Sequence, residues 1–205
     1  MGESPLTIQD DRLVRLFTPA QRFYRVQTSS SLTVRKNCLD DFHAAGGCWH
    51  DKADCRLSKT SIERHLDIND LSYKHSHFIS LYDNLQAAQS LAHVLRARGH
   101  TDIVIAVICI PMLRRSCIPV PGGKGITANT VFLPVLDYID RSDHVLSVFS
   151  VEDARKKLGV SAVGRGSEWL AIGRIPREFV KAEVSWHDSQ HRTMCMQVLS
   201  SAARD

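Results

Sequence analysis

The chain lacks most of the features that would assign it quickly. Its N-terminus, Met1-Gly2-Glu3-Ser4-Pro5-Leu6, carries no apolar signal region. Gly2 is followed by Leu6 where a myristoylation pattern wants Ser or Thr. The longest apolar run, Ile103 to Pro111, is too short to span a bilayer and reads as a buried strand. These absences predict a cytoplasmic protein with no membrane partner, while secretion of a trimmed form stays open. There is no internal repeat. Nothing resembles a G-x-S-x-G nucleophile elbow, so no Ser-His-Asp set is indicated. The loop Pro119 to Gly125 (PVPGGKG) lacks the spacing and the final Ser/Thr of a phosphate-binding loop. Charge of one sign is also scarce: 26 Lys and Arg against 22 Asp and Glu leave +4. With no aromatic-rich basic stripe, that surplus does not point to nucleic acid.

Six cysteines, at 38, 48, 55, 109, 117 and 195, form no C-x-x-C pair. Cys38, Cys48 and Cys55 with His50 and His65 invite a zinc reading, but their spacing matches no usual zinc pattern. Free thiols or one disulfide are expected and no metal. Cys109, inside the apolar run, is expected to be a buried thiol.

What is present is an ordinary folded composition, with 43% hydrophobic and 23% charged residues in 205. Such a chain buries a sizeable core as one domain. Residues 1–18 read as an N-terminal arm or short helix. Residues 21–27 (QRFYRVQ) alternate as a strand, and 28–34 as a loop. Residues 35–76 read as an insert of short helices and loops. His77 to Ser80 is a short strand, followed by a helix that Asp83 or Asn84 can cap. Leu85, Ala88, Leu91, Ala92 and Leu95 give that helix its apolar spacing, and Gly99 ends it. Strands are expected at 102–110, 131–136, 145–149, 168–175 and 179–186, a helix at 152–158, and a C-terminal tail or helix at 188–205. Strands and helices do not alternate regularly, which disfavours a doubly wound parallel sheet and predicts an α+β fold.

Three separated blocks, covering about half the chain, resemble those of the ADP-ribosyltransferase family. Phe23-Tyr24-Arg25-Val26 looks like its opening aromatic-Arg strand. Phe78-Ile79-Ser80, with an alanine-rich helix soon after, is similar to its Ser-Thr-Ser strand. Glu168-Trp169-Leu170-Ala171-Ile172-Gly173-Arg174-Ile175-Pro176 is similar to the catalytic-Glu block of the cholera-toxin-like group and is the most specific of the three. The order Arg, Ser, Glu matches that of the family. The Phe-Ile-Ser and alanine-helix pattern is also similar to a fungal domain of unassigned function.

The resemblance implies a split antiparallel sheet with flanking helices and NAD as substrate. It implies Arg25 on the pyrophosphate, Ser80 on the nicotinamide-side ribose or on Glu168, and Glu168 stabilising positive charge on the ribose as nicotinamide leaves. Tyr24, Tyr82 and His77 join the implied NAD-binding set, Tyr82 equally as a core or rim aromatic. The acceptor of ADP-ribose is expected to be a macromolecule, protein rather than nucleic acid. One departure matters. Gly166 stands where many members carry Glu or Gln two residues before the catalytic Glu. Transfer to another acceptor, hydrolysis of NAD by water, and a scaffold kept as an inactive interaction domain all remain open. Each residue also has a plainer role: Arg25 as an edge-strand cation, Ser80 as a helix-entry residue, Glu168 as a partner of Arg165 or Arg174.

Overall fold

The computed structural model describes residues 17–18, 20–31, 34–35, 41–46, 57–67, 76–121, 130–140, 143–161 and 166–186. Residues 1–16 of the expected N-terminal arm, residues 122–129, the expected tail or helix at 188–205, and Cys38, Cys48, His50, Cys55, His75, Arg165 and Cys195 lie outside them. The fold is mixed α+β, with three α-helices among the described residues and every strand pairing antiparallel.

The described residues form twelve strands: β1 (Phe17–Thr18), β2 (Gln21–Gln27), β3 (Val34–Arg35), β4 (Phe42–His43), β5 (Phe78–Tyr82), β6 (Val104–Ile110), β7 (Leu113–Pro121), β8 (Thr130–Asp140), β9 (Asp143–Ser150), β10 (Glu168–Ile172), β11 (Arg174–Ile175) and β12 (Val180–Ser185). Nine form one sheet in the order β1-β7-β8-β9-β10-β5-β2-β6-β12, and β11-β4-β3 form a second. The helices are α1 (Lys59–Leu66), α2 (Leu85–Ala97) and α3 (Val151–Leu158).

Strict alternation sorts the side chains of the large sheet onto two faces. Phe23, Ile79, Leu81, Ala106, Ile108 and Ala171 point to one face, where Phe42, Ala44 and Ile175 of the small-sheet region close over them. Residues one position along point to the other face, under the helices. There Phe78, Leu170 and Ile172 meet Ile62 of α1 and Ala154 of α3. Tyr24, Val26, Tyr82, Ile105 and Val107 meet Ala88 and Ala92 of α2. The helix face thus holds two apolar clusters side by side, and β5 contributes to both.

The expected strand at 168–175 is two strands. Gly173 has φ +80°, a left-handed conformation that favours glycine, and it turns the chain out of the large sheet into the small one. Its N–H donates to the His77 carbonyl (2.8 Å) and its carbonyl accepts from Ala44 N–H (2.8 Å), so one residue ties the two sheets together. Residues 119–121, expected as loop, instead extend β7. Beyond Arg114 that strand has β8 on one side only, so Pro119 and Pro121 break no second ladder. Of the 35–76 insert, the described parts are β4 and α1 with their flanks. α1 starts at a capping box in which the Ser58 side chain accepts from Ser61 N–H and the Ser61 hydroxyl from Ser58 N–H. Asn84 caps α2, accepting from Ala87 N–H at 2.8 Å.

Candidate functional site

β5 has a complete ladder on one side and a broken one on the other. Toward β10, five consecutive residues pair, from Glu168 opposite Tyr82 to Ile172 opposite Phe78. Toward β2, the register has one pair, Tyr24 opposite Tyr82. From there the two strands part, and Arg25 and Val26 of β2 remain laddered to β6 alone.

Arg25 occupies that parting. Alternation sends its side chain to the face of Phe23, opposite the face of Ser80 and Glu168, and the guanidinium lies 5.5 Å from the Phe42 ring centroid. Nη1 reaches across the gap and donates to the Ser80 carbonyl at 3.1 Å. A β-strand carbonyl left without its ladder partner is a costly group to bury, and here a cation satisfies it. Arg25 is 5% exposed, so it is not the surface cation of an edge strand.

Ser80 and Glu168 lie on the helix face. Ser80 is opposite Leu170, so Glu168 is its diagonal neighbour one pleat along. Glu168 is 8% exposed, a carboxylate held in the body of the sheet. The three strands that carry Glu168, Ser80 and Arg25 are thus lateral neighbours, in that order. Tyr82 and Tyr24 complete a row with Glu168 across the same three strands. Both rings are packed under α2, 4% and 7% exposed, which makes Tyr82 a core aromatic; burial pushes the Tyr24 hydroxyl pKa up. His77 immediately precedes β5 and is held by its main chain to Gly173.

Two residues escaped the sequence reading. His65 of α1 places Nε2 2.9 Å from Ser80 Oγ and Nδ1 2.7 Å from Ser76 Oγ. Its ring packs edge-on against Phe78. Burial lowers its pKa to about 3, and the nearby Arg25 charge acts in the same direction, so the ring is neutral. Ser76 Oγ in turn accepts from Phe78 N–H at 3.1 Å. The signal for His65 was its position three residues after Ile62 and one before Leu66, on the apolar stripe of a short polar helix. His65 had been weighed only as a zinc ligand. Among the described residues no group of three His, Cys, Asp or Glu is placed to hold a metal. Cys109 is half-buried, not fully buried as expected, and Cys117 is exposed.

The residue next to Glu168 faces the other way. Trp169 packs against Phe23 (5.5 Å between rings) and its Nε1 donates to Asp83 at 3.1 Å. It also lines a groove of about 410 Å³ with Thr18, Gln21, Arg115, Leu136 and Asp153. Arg25, Ser80 and Glu168 do not line that groove. Ser80 and His65 meet on the helix face of the parting, Arg25 bonds there from the opposite face, and Glu168 stands on the laddered side of β5; the groove meets this region only through Trp169.

The model of a family described as a domain of unknown function, DUF7587, matches residues 18–189. The chain belongs to the DUF7587 family. The match runs from β1 past β12 and contains every residue of the site just described. No curated protein and no solved structure matches the chain. The DUF7587 fold therefore has to be read functionally from its own side chains. Among its described residues no helix is long and apolar enough to cross a membrane.

Proposed function

We propose that this domain is an NAD-dependent ADP-ribosyltransferase, built on the split-sheet fold of that family, which cleaves the nicotinamide–ribose bond and passes ADP-ribose to a macromolecular acceptor, a protein. The observation that supports the reading is that Glu168, Ser80 and Arg25 lie on three neighbouring strands, with Ser80 and Glu168 diagonal neighbours on the helix face and Arg25 bonded from the opposite face to the Ser80 carbonyl. Order along the chain is a weak argument by itself. Adjacency across three neighbouring strands is a stronger one, because order along the chain does not demand it.

The chemistry suits these residue types. Arg25 donates to a neutral carbonyl, and a pyrophosphate oxygen accepts a stronger, charge-assisted bond from the same guanidinium. As the glycosidic bond breaks, its electron pair leaves with the nicotinamide nitrogen and positive charge develops on the ribose. A carboxylate fixed beforehand at Glu168 stabilises that charge as it forms. The acceptor then bonds to the anomeric carbon and gives up its proton. Tyr24 and Tyr82 continue the row that Glu168 occupies and pack under α2. With Arg25 and Glu168 5% and 8% exposed, NAD enters by widening the parting, where one residue pair joins β2 to β5.

A second reading, hydrolysis of NAD by water, is favoured by Gly166. It is exposed, and a Cβ built there meets no atom within 4 Å. Open space two residues before Glu168 leaves the acceptor side accessible to solvent. NAD labelled in its adenosine half separates the readings: label on protein supports transfer, and free ADP-ribose alone supports hydrolysis. In either case Glu168→Gln should lower nicotinamide release by roughly 10²–10³-fold, the usual cost of removing one preorganised electrostatic group. Unchanged release by a folded Glu168→Gln protein would end the NAD reading.

A further inference from the structure

The chain Phe78–Ser76–His65–Ser80 is a line of hydrogen bonds with a fixed donor at one end. Phe78 N–H is an obligate donor, and it donates to Ser76 Oγ at 3.1 Å. Ser76 keeps its own proton to give, and His65 Nδ1 lies 2.7 Å away. A neutral imidazole has one donor and one acceptor nitrogen. If Nδ1 accepts from Ser76, then Nε2 carries the proton, and it donates to Ser80 Oγ at 2.9 Å. Ser80 receives that bond and turns its own O–H away from His65. The reverse direction would have Ser76 accept twice and place its proton elsewhere.

We propose that His65 is a positioning residue which, held by Ser76 in the Nε2–H form, makes Ser80 a hydrogen-bond donor toward an acceptor oxygen of the bound ligand at the parting of β2 and β5. The identity of that ligand as NAD, with a ribose oxygen as the acceptor, rests on the function proposed above; the direction of the relay does not. The arrangement looks at first like a serine nucleophile beside its base. The polarity argues otherwise. A general base must receive the serine proton, whereas in the Nε2–H form the nitrogen facing Ser80 already carries one. A second proton on this ring is opposed by its burial and by the Arg25 guanidinium, whose Nη1 bonds the main chain of the same Ser80. Ser80 is therefore fixed twice: its carbonyl by Arg25 from one face, its hydroxyl by His65 from the other.

Nitrogen NMR of histidine-labelled protein at neutral pH reads the tautomer directly. His65 should be a single neutral Nε2–H form in the wild type. In Ser76→Ala that preference should be lost, with both tautomers populated. A wild-type Nδ1–H form, a charged ring, or an unaltered tautomer in Ser76→Ala would each overturn the proposal. Adding NAD should move the His65 signals in the wild type and leave them in place in Ser80→Ala. The stated tautomer with no response to NAD in either protein would remove the NAD reading and leave the relay standing. An Nδ1–H tautomer in a protein that does respond to NAD would do the reverse. His65→Leu should weaken NAD binding by about tenfold, the scale of one hydrogen bond, and His65→Gln, which restores a donor, should recover most of it. Equal loss in the Leu and Gln variants would contradict a positioning role.

Discussion

The two sides of β5 are built differently. On the β10 side five residue pairs run without interruption, flanked by Leu170 and Ile172 on one face and Ala171 on the other. On the β2 side one pair holds, and the space beyond it is taken by a guanidinium, with an imidazole and a serine hydroxyl on the helix face. The first junction is stabilised by burial of apolar area. The second relies on polar groups and their hydrogen bonds, whose net contribution is small but whose loss is expensive. Of the proposed trio, Arg25 stands at the parted edge and Glu168 at the laddered one, with Ser80 between them.

Truncating Leu170 to Ala on the laddered side should have the largest effect on stability, about 2–5 kcal/mol in denaturant unfolding, because the cavity lies in a fully packed cluster. Arg25→Met on the parted side should cost less, about 1.5–3 kcal/mol, since a similar apolar stem remains and one charge-assisted bond is lost. It should also raise the His65 pKa by removing the positive charge beside it, a shift visible in the same nitrogen spectra. If Arg25→Met proved as damaging as Leu170→Ala, the contrast between the two edges would fail.

The smallest effect per step comes from pH. His65 is neutral in the folded protein, with a pKa lowered from 6.5 to about 3. Between those values the unfolded chain binds the proton that the folded chain refuses. Its contribution to stability is therefore complete above pH 6.5 and is lost as pH falls toward 3. The slope in that window should approach about 1.4 kcal/mol per pH unit, the value for one proton, and should flatten in His65→Gln. An identical slope in wild type and variant would place the acid sensitivity elsewhere.

How much of this the sequence disclosed follows the same division. β2 at 21–27 and the apolar stripe of α2 were legible, because alternation and helical spacing report burial directly. The proposed trio of Arg25, Ser80 and Glu168 was suggested only through resemblance to short blocks. The parting of β2 and β5 leaves no periodic signature, since Tyr24-Arg25-Val26 alternates as well beside a missing ladder as beside a complete one. His65 was hidden because α1 is eight residues long and mostly polar, so its two apolar neighbours were too few to mark a face. Gly173 was read inside a strand for a related reason: its φ of +80° is a property of the turn between two sheets, and the alternation of Trp169 to Ile175 continues across it.

Amide hydrogen exchange along β5, with and without NAD, tests the central claim most directly. The account predicts faster exchange in the parted segment of β2, around Val26 and Gln27, than at Leu170 and Ala171 on β10, and selective slowing of the β2 segment when NAD is present. Uniform protection on both sides of β5, unchanged at saturating NAD, would contradict it.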